Sequence, residues 1–197
     1  MTTKSTKEYI IKLMTLFQKN SIAKEVADFY LDHLNKTNPT QDQLRLTLSA
    51  SFGDMLLVCP SVFFGEELAR RSPDTKAFSY RLMQSTPEAF LPGLPPLPAW
   101  IGIPHGADLF YFFQYDKTVQ FEEENVFARF MIGSWASFAR TGVPTATFGT
   151  GNWSEAVLRS SGDFSTRHFS LQLGHFKMVE GAYKDTCERF WKAKMLV

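Results

Sequence analysis

Through the first third of the chain, apolar residues recur at helical spacing and polar residues fill the positions between them. Ile10, Leu13, Met14 and Phe17 share one face, so residues 5–19 are expected to form a helix opened by a Ser5/Glu8 capping box. Ala23, Val26, Ala27, Tyr30 and Leu34 predict a second helix, with Ser21 as its cap and the polar run ending at Pro39 as its stop. Thr40 and Gln43 form another capping box, opening a helix to about Ser51. Gly53 is expected to interrupt it. Leu56, Cys59, Val62 and Phe63 then carry a further helical stretch toward Arg71, with a kink or restart at Pro60.

The pattern then changes. Ser72, Pro73 and Asp74 make a turn, and Ala77 to Met83 reads as a strand with Phe78 and Tyr80 on one face. Five prolines between 85 and 98 exclude regular structure there. Leu109 to Phe113 is uniformly apolar and reads as a buried strand. Glu122 to Thr141 is the clearest helix. It has three glutamates at its start, an aromatic face of Phe127, Phe130, Trp135 and Phe138, and Gly142 and Pro144 to end it. After a polar loop at 145–151, His168 to Leu173 alternates weakly, as an edge strand would, and 181–195 reads as a last short helix. No repeat and no linker divides the chain, so residues 1–197 are read as a single partial domain.

Composition narrows the function classes. The chain is 44% hydrophobic and 15% aromatic, with 19 Phe, which calls for a packed body. Its net charge of +1, with both signs interspersed, offers no footprint for nucleic acid or an anionic membrane. No apolar run approaches the roughly 18 residues of a membrane span, and the first residues lack the apolar core of a signal peptide. No metal, phosphate or nucleotide motif is present, so no cofactor is expected.

One residue stands out chemically. His105 lies between Pro104 and Gly106, a rigid and a small neighbour that let a loop hold an imidazole at a fixed angle. Taken alone it reads first as a capped loop histidine with a structural role. His33, His168 and His175 lack metal-ligand spacing and read as surface or loop residues. Asp54, on an apolar helix, reads as the acceptor of a buried hydrogen bond, and Asp108 has a structural reading as well. The two cysteines, Cys59 and Cys187, are either buried thiols or a pair.

The stretch from Trp100 to Phe113 resembles the catalytic-histidine loop of the type-B carboxylesterases, and of the cholinesterases in particular. The Asp54 to Pro60 segment is similar to that family's Asp…Cys-Pro helix. Phe78-Ser-Tyr-Arg81 resembles its tyrosine-bearing strand, Trp135 to Pro144 its Trp-x-x-Phe-Ala-x-x-Gly-x-Pro signature, and Cys187 to Trp191 its closing Cys-x-x-Phe-Trp. The resemblance implies an α/β fold, here the C-terminal portion of an α/β-hydrolase, mostly helical with a few strands of an incomplete sheet. It implies a carboxylic ester substrate, attacked by a serine whose proton His105 takes and returns. It further implies that Trp100 and Gly106 meet substrate, Trp100 by cation–π contact with a quaternary ammonium, in a pocket widened by Ala107. Finally, it implies a Cys59–Cys187 disulfide and a parent protein that is secreted or faces the extracellular side. Asn35 and Asn152 begin glycosylation sequons that suit such a location.

The sequence also departs from the family. No Gly-x-Ser-x-Gly occurs, nor the oxyanion-hole glycine pair, nor the glycine-flanked Glu that orients the histidine. Met1 therefore reads as the start of a truncated product, inactive by itself and, with half a sheet uncovered, prone to aggregate. The alternatives are a non-catalytic adhesion relative of the neuroligin kind, or a truncated product without function.

Overall fold

The computed structural model describes residues 1–17, 19–34, 37–72, 74–84, 98–113, 122–145, 153–160 and 163–195. Asn35, Asn152, Pro73 and nearly all of the proline-rich stretch and of the 145–151 loop lie outside the described residues. The chain divides into two compact units. One comprises residues 1–64 with 183–197, the other residues 65–182.

The first unit is helical. Helix α1 spans Thr3–Leu16, α2 Ala23–Leu34 and α3 Gln41–Gly53, and α4 begins at Cys59 and runs to Arg71. The cap of α1 is Thr2 rather than Ser5. Thr2 and Ser5 close the capping box between them, because Thr2 is the residue with extended backbone. At α3 the expected Thr40/Gln43 box is in place. Gly53 does not interrupt the chain. A π-helical segment, Asp54–Val58, joins α3 directly to α4, with the Cys59 N–H donating to the Asp54 carbonyl. Pro60 explains it: proline has no N–H for the carbonyl four residues back and would clash with it, and a widened turn relieves both problems without a break. The resulting helix, Gln41–Arg71, is long and apolar enough to cross a membrane by length and composition, which the short segments read from the sequence did not foresee. Its Met55, Cys59 and Phe63 are buried in the core of this unit.

That core joins Ile10 and Met14 of α1 to Val26, Ala27 and Tyr30 of α2, and to Phe190 and Trp191. The last two belong to a second π-helical segment, Lys184–Trp191, followed by α7 (Lys192–Met195). Cys59 and Cys187 form a disulfide, both fully buried. It closes a separation of 128 residues, which the chain-entropy model values at about 5 kcal/mol. Phe29 stacks on Phe190 at 3.8 Å. Beside it the Trp191 Nε1–H donates to the Tyr30 hydroxyl (2.8 Å), and the Tyr30 O–H donates to Asp54 Oδ2 (2.7 Å). Burial, and then the Asp54 charge, hold the Tyr30 phenol protonated far above its usual range. Asp54 thus accepts the buried hydrogen bond its position implied.

The second unit is a small sheet crossed by helices. Its strands are β1 (Tyr80–Leu82), β2 (Val157–Ser160), β3 (Asp163–Leu171) and β4 (Lys177–Glu180). β3 is central, parallel to β1 and antiparallel to β2 and β4, with Tyr80 opposite Phe169 and His168 opposite Val179. The edge strand expected at 168–173 is therefore the middle of the sheet. It is buried on both faces, with Phe169 and Leu171 on one side and Thr166, His168 and Ser170 on the other. Weak alternation misled because the second face is small and polar yet covered.

Helix α6 occupies Glu122–Thr141, as expected, and buries Phe127, Phe130, Met131 and Ser134. Gly142, at a positive φ of 74°, donates to the Phe138 carbonyl and ends it. Leu109–Phe113 is not a strand but a short helix, α5. Hydrogen-bonded turns begin at Pro104 and run into it, with Ala107 N–H to the Pro104 carbonyl and Tyr111 and Phe112 N–H to the Asp108 carbonyl. A five-residue run with no polar positions carries no period to distinguish strand from helix. Phe110, Tyr111, Phe127, Phe130, Trp153 and Phe169 share one core. The observed architecture is thus mostly helical with a small sheet, as the α/β expectation for part of a larger sheet requires.

Candidate functional site

His105 belongs to a loop between two short helical pieces, a single 3-10 turn at Ala99–Ile101 and α5. Two glycines shape it. Gly102 has φ 68° and Gly106 φ 81°, backbone that an L side chain adopts only at a cost of about 1–2 kcal/mol. Ile101 N–H donates to the Pro98 carbonyl on one side, and Leu109 N–H to the Gly106 carbonyl on the other. Between these turns the His105 side chain is exposed. Among the described residues its imidazole makes no hydrogen bond and no ion pair.

The loop is tied down just after the histidine. Tyr80 on β1 donates its hydroxyl proton to Asp108 Oδ2 at 2.6 Å. Burial, followed by the hydrogen bond and charge of Asp108, pushes the Tyr80 pKa far upward, so the phenol remains a donor throughout the neutral range. Tyr80 in turn meets Trp135 of α6 edge-to-face at 4.7 Å, and Phe112 of α5 meets the same indole at 4.6 Å. Strand, loop and helix therefore converge on Trp135, which fixes where α5 begins and so where His105 stands. Asp108 anchors the loop, as its structural reading held. The Tyr80–Asp108 pairing was not foreseen, because nothing local links residues 28 apart.

The remaining candidates separate. Trp100 stands on the 3-10 turn with 41% of its surface exposed, on the same loop as His105 and across the Gly102 turn from it. Cys59 and Cys187 are joined to each other in the other unit. His33 and His175 are exposed. His168 is not: it is 3% exposed on central β3, and burial, then the Arg81 charge, lowers its pKa to about 4. The surface reading of that histidine is corrected accordingly. Among the described residues no three His, Cys, Asp or Glu side chains come together as a metal ion would require.

A loop with two positive-φ glycines, an exposed imidazole and a part-buried tether can offer proton transfer to a group that approaches from outside. Comparison with known proteins places the chain in a family. The family model described as the carboxylesterase family matches residues 1–191. The chain is 30% identical over 134 residues to an acetylcholinesterase of Gallus gallus, a match covering 66% of this chain and 16% of that protein. An acetylcholinesterase of Bungarus fasciatus is 29% identical over 136 residues, 67% of this chain and 21% of its own length. A cholinesterase of Mus musculus is 27% identical over 124 residues, 61% of this chain and 19% of its own. The chain thus spans about a fifth of the length of these relatives.

Proposed function

The chain belongs to the carboxylesterase family, and from that premise we propose that it carries the proton-transferring histidine of a carboxylic ester hydrolase. The observation that carries this reading is the exposed His105 imidazole on a loop that glycine geometry and the Tyr80–Asp108 hydrogen bond hold in place.

In the reaction, a serine oxygen bonds to the ester carbonyl carbon as its proton passes to the His105 ring. The tetrahedral adduct then collapses, the bond to the alcohol oxygen breaks, and His105 gives that oxygen its proton. Water repeats the sequence on the acyl-serine, with His105 again taking and returning one proton, and the acid is released. Serine, orienting carboxylate and oxyanion donors are not present in the family's pattern among these 197 residues. The chain by itself is therefore expected to hydrolyse esters no faster than free imidazole does. Trp100, half-exposed on the same loop, is read as a wall for the alcohol portion, and Gly106 as the position that lets substrate approach the backbone beside His105. Residues 1–197 are read as part of one catalytic domain. The buried Cys59–Cys187 disulfide supports a secreted or extracellular setting, in which Asn35 and Asn152 would be glycosylated.

A chimaera tests the proposal: the Gallus gallus relative with the portion that corresponds to this chain's family match replaced by residues 1–191. Thiocholine-ester hydrolysis is expected, with a loss of roughly a thousandfold or more on His105→Ala. A folded chimaera whose turnover is indifferent to that substitution would overturn the role given to His105.

A further inference from the structure

The unit formed by residues 65–182 contains an opening that the ester chemistry does not use. It is a shallow depression, largely open to solvent, lined by Lys76, Phe78, Val143, Trp153, Glu155 and Arg167 among others, none of them on the His105 loop.

The walls are of two kinds. Phe78 and Trp153 form a rigid apolar floor. Phe78 packs edge-to-face on Phe138 at 5.9 Å. Trp153 stacks on Phe169 at 5.0 Å and donates its indole N–H to the Ser79 carbonyl. Val143, part-exposed at the end of α6, adds an apolar rim. Two cations complete the site. Arg167 is held in place: its Nε donates to the Glu155 carbonyl at 2.6 Å, and one terminal nitrogen reaches Glu180 at 3.4 Å, with only 17% of the side chain accessible. A guanidinium fixed along one edge offers its remaining donors in a set direction. Lys76 is exposed and, among the described residues, has no ion-pair partner. The Glu155 carboxylate also lines the depression and opposes an anion there.

We propose that this depression binds an amphipathic monocarboxylate, an acyl chain lying on Phe78, Trp153 and Val143 with its carboxylate between Lys76 and Arg167. The site does not depend on the role given to His105. Apolar contact supplies the affinity, and the cations select the head group, because a planar carboxylate matches the guanidinium donors and draws Lys76 inward.

Isothermal titration calorimetry of the full chain with octanoate, octanol and octylammonium tests it. Octanoate should bind in the millimolar range or tighter, and octanol and octylammonium more weakly. Lys76→Gln, at an exposed position whose loss leaves the fold intact, should weaken octanoate roughly three- to fivefold. Glu155→Gln should strengthen it by a similar factor, and neither change should move octanol. Equal binding of octanoate and octanol, preference for octylammonium with loss on Glu155→Gln, or no octanoate binding up to several millimolar would each overturn the proposal.

Discussion

Two polar constellations in this molecule carry opposite designs. In one unit, Trp191, Tyr30 and Asp54 form a chain of hydrogen bonds beside the Cys59–Cys187 bridge, with Tyr30 and Trp191 buried. In the other, His105 stands exposed on a tethered loop. A satisfied buried network holds elements together and has nothing left to offer a substrate. An exposed, positioned ring contributes almost nothing to stability and leaves its nitrogens available. The difference separates residues that hold the fold from the residue on which the proposed chemistry depends, and each end of it can be broken separately.

The largest effect should come from the bridge. Cys59→Ala/Cys187→Ala, or reduction, should cost about 5 kcal/mol, read as a lower denaturant midpoint for the helical unit. Next comes acid. His168 has its pKa lowered from 6.5 to about 4 by burial and then by Arg81. Its unfolded form therefore binds more protons between those values. The stability it supports is complete above pH 6.5 and is lost as pH falls toward 4, by about 3 kcal/mol. Melts of wild type and His168→Gln across pH 4–7 should converge as pH falls. Tyr30→Phe should follow, costing about 1–3 kcal/mol, because it removes the acceptor of the buried Trp191 N–H and one donor from Asp54. Gly106→Ala should cost about 1–2 kcal/mol, since φ is 81° there, and thermal melts would show it. Smallest of all, His105→Ala should shift stability by no more than about 0.5 kcal/mol; a larger loss would place that ring among the residues that hold the fold.

The same contrast governs what the sequence disclosed. Helix α6 was legible in its bounds, because acidic residues at its start, a periodic aromatic face and Gly142 all point one way, although Phe138 on that face is exposed. The Thr40/Gln43 cap was legible for the same reason. α5 was not, since five apolar residues in a row carry no period. β2 and β4, four residues each, were too short to register. β3 was misplaced to an edge because His168 and Ser170 look solvent-facing until a second layer covers them. The exposure of His105 was legible in Pro104 and Gly106, whereas its tether was not: the Tyr80–Asp108 bond exists only once β1 and the start of α5 are brought together. The disulfide followed from resemblance alone, because spacing does not say whether two buried thiols are joined.

The most direct test of the central claim sets two histidines against each other in the chimaera described above. The kcat/KM for ester hydrolysis should fall by roughly a thousandfold or more for His105→Ala and stay near the parent value for His168→Gln at pH 7.5. Equal, small effects of the two substitutions in folded protein would contradict it.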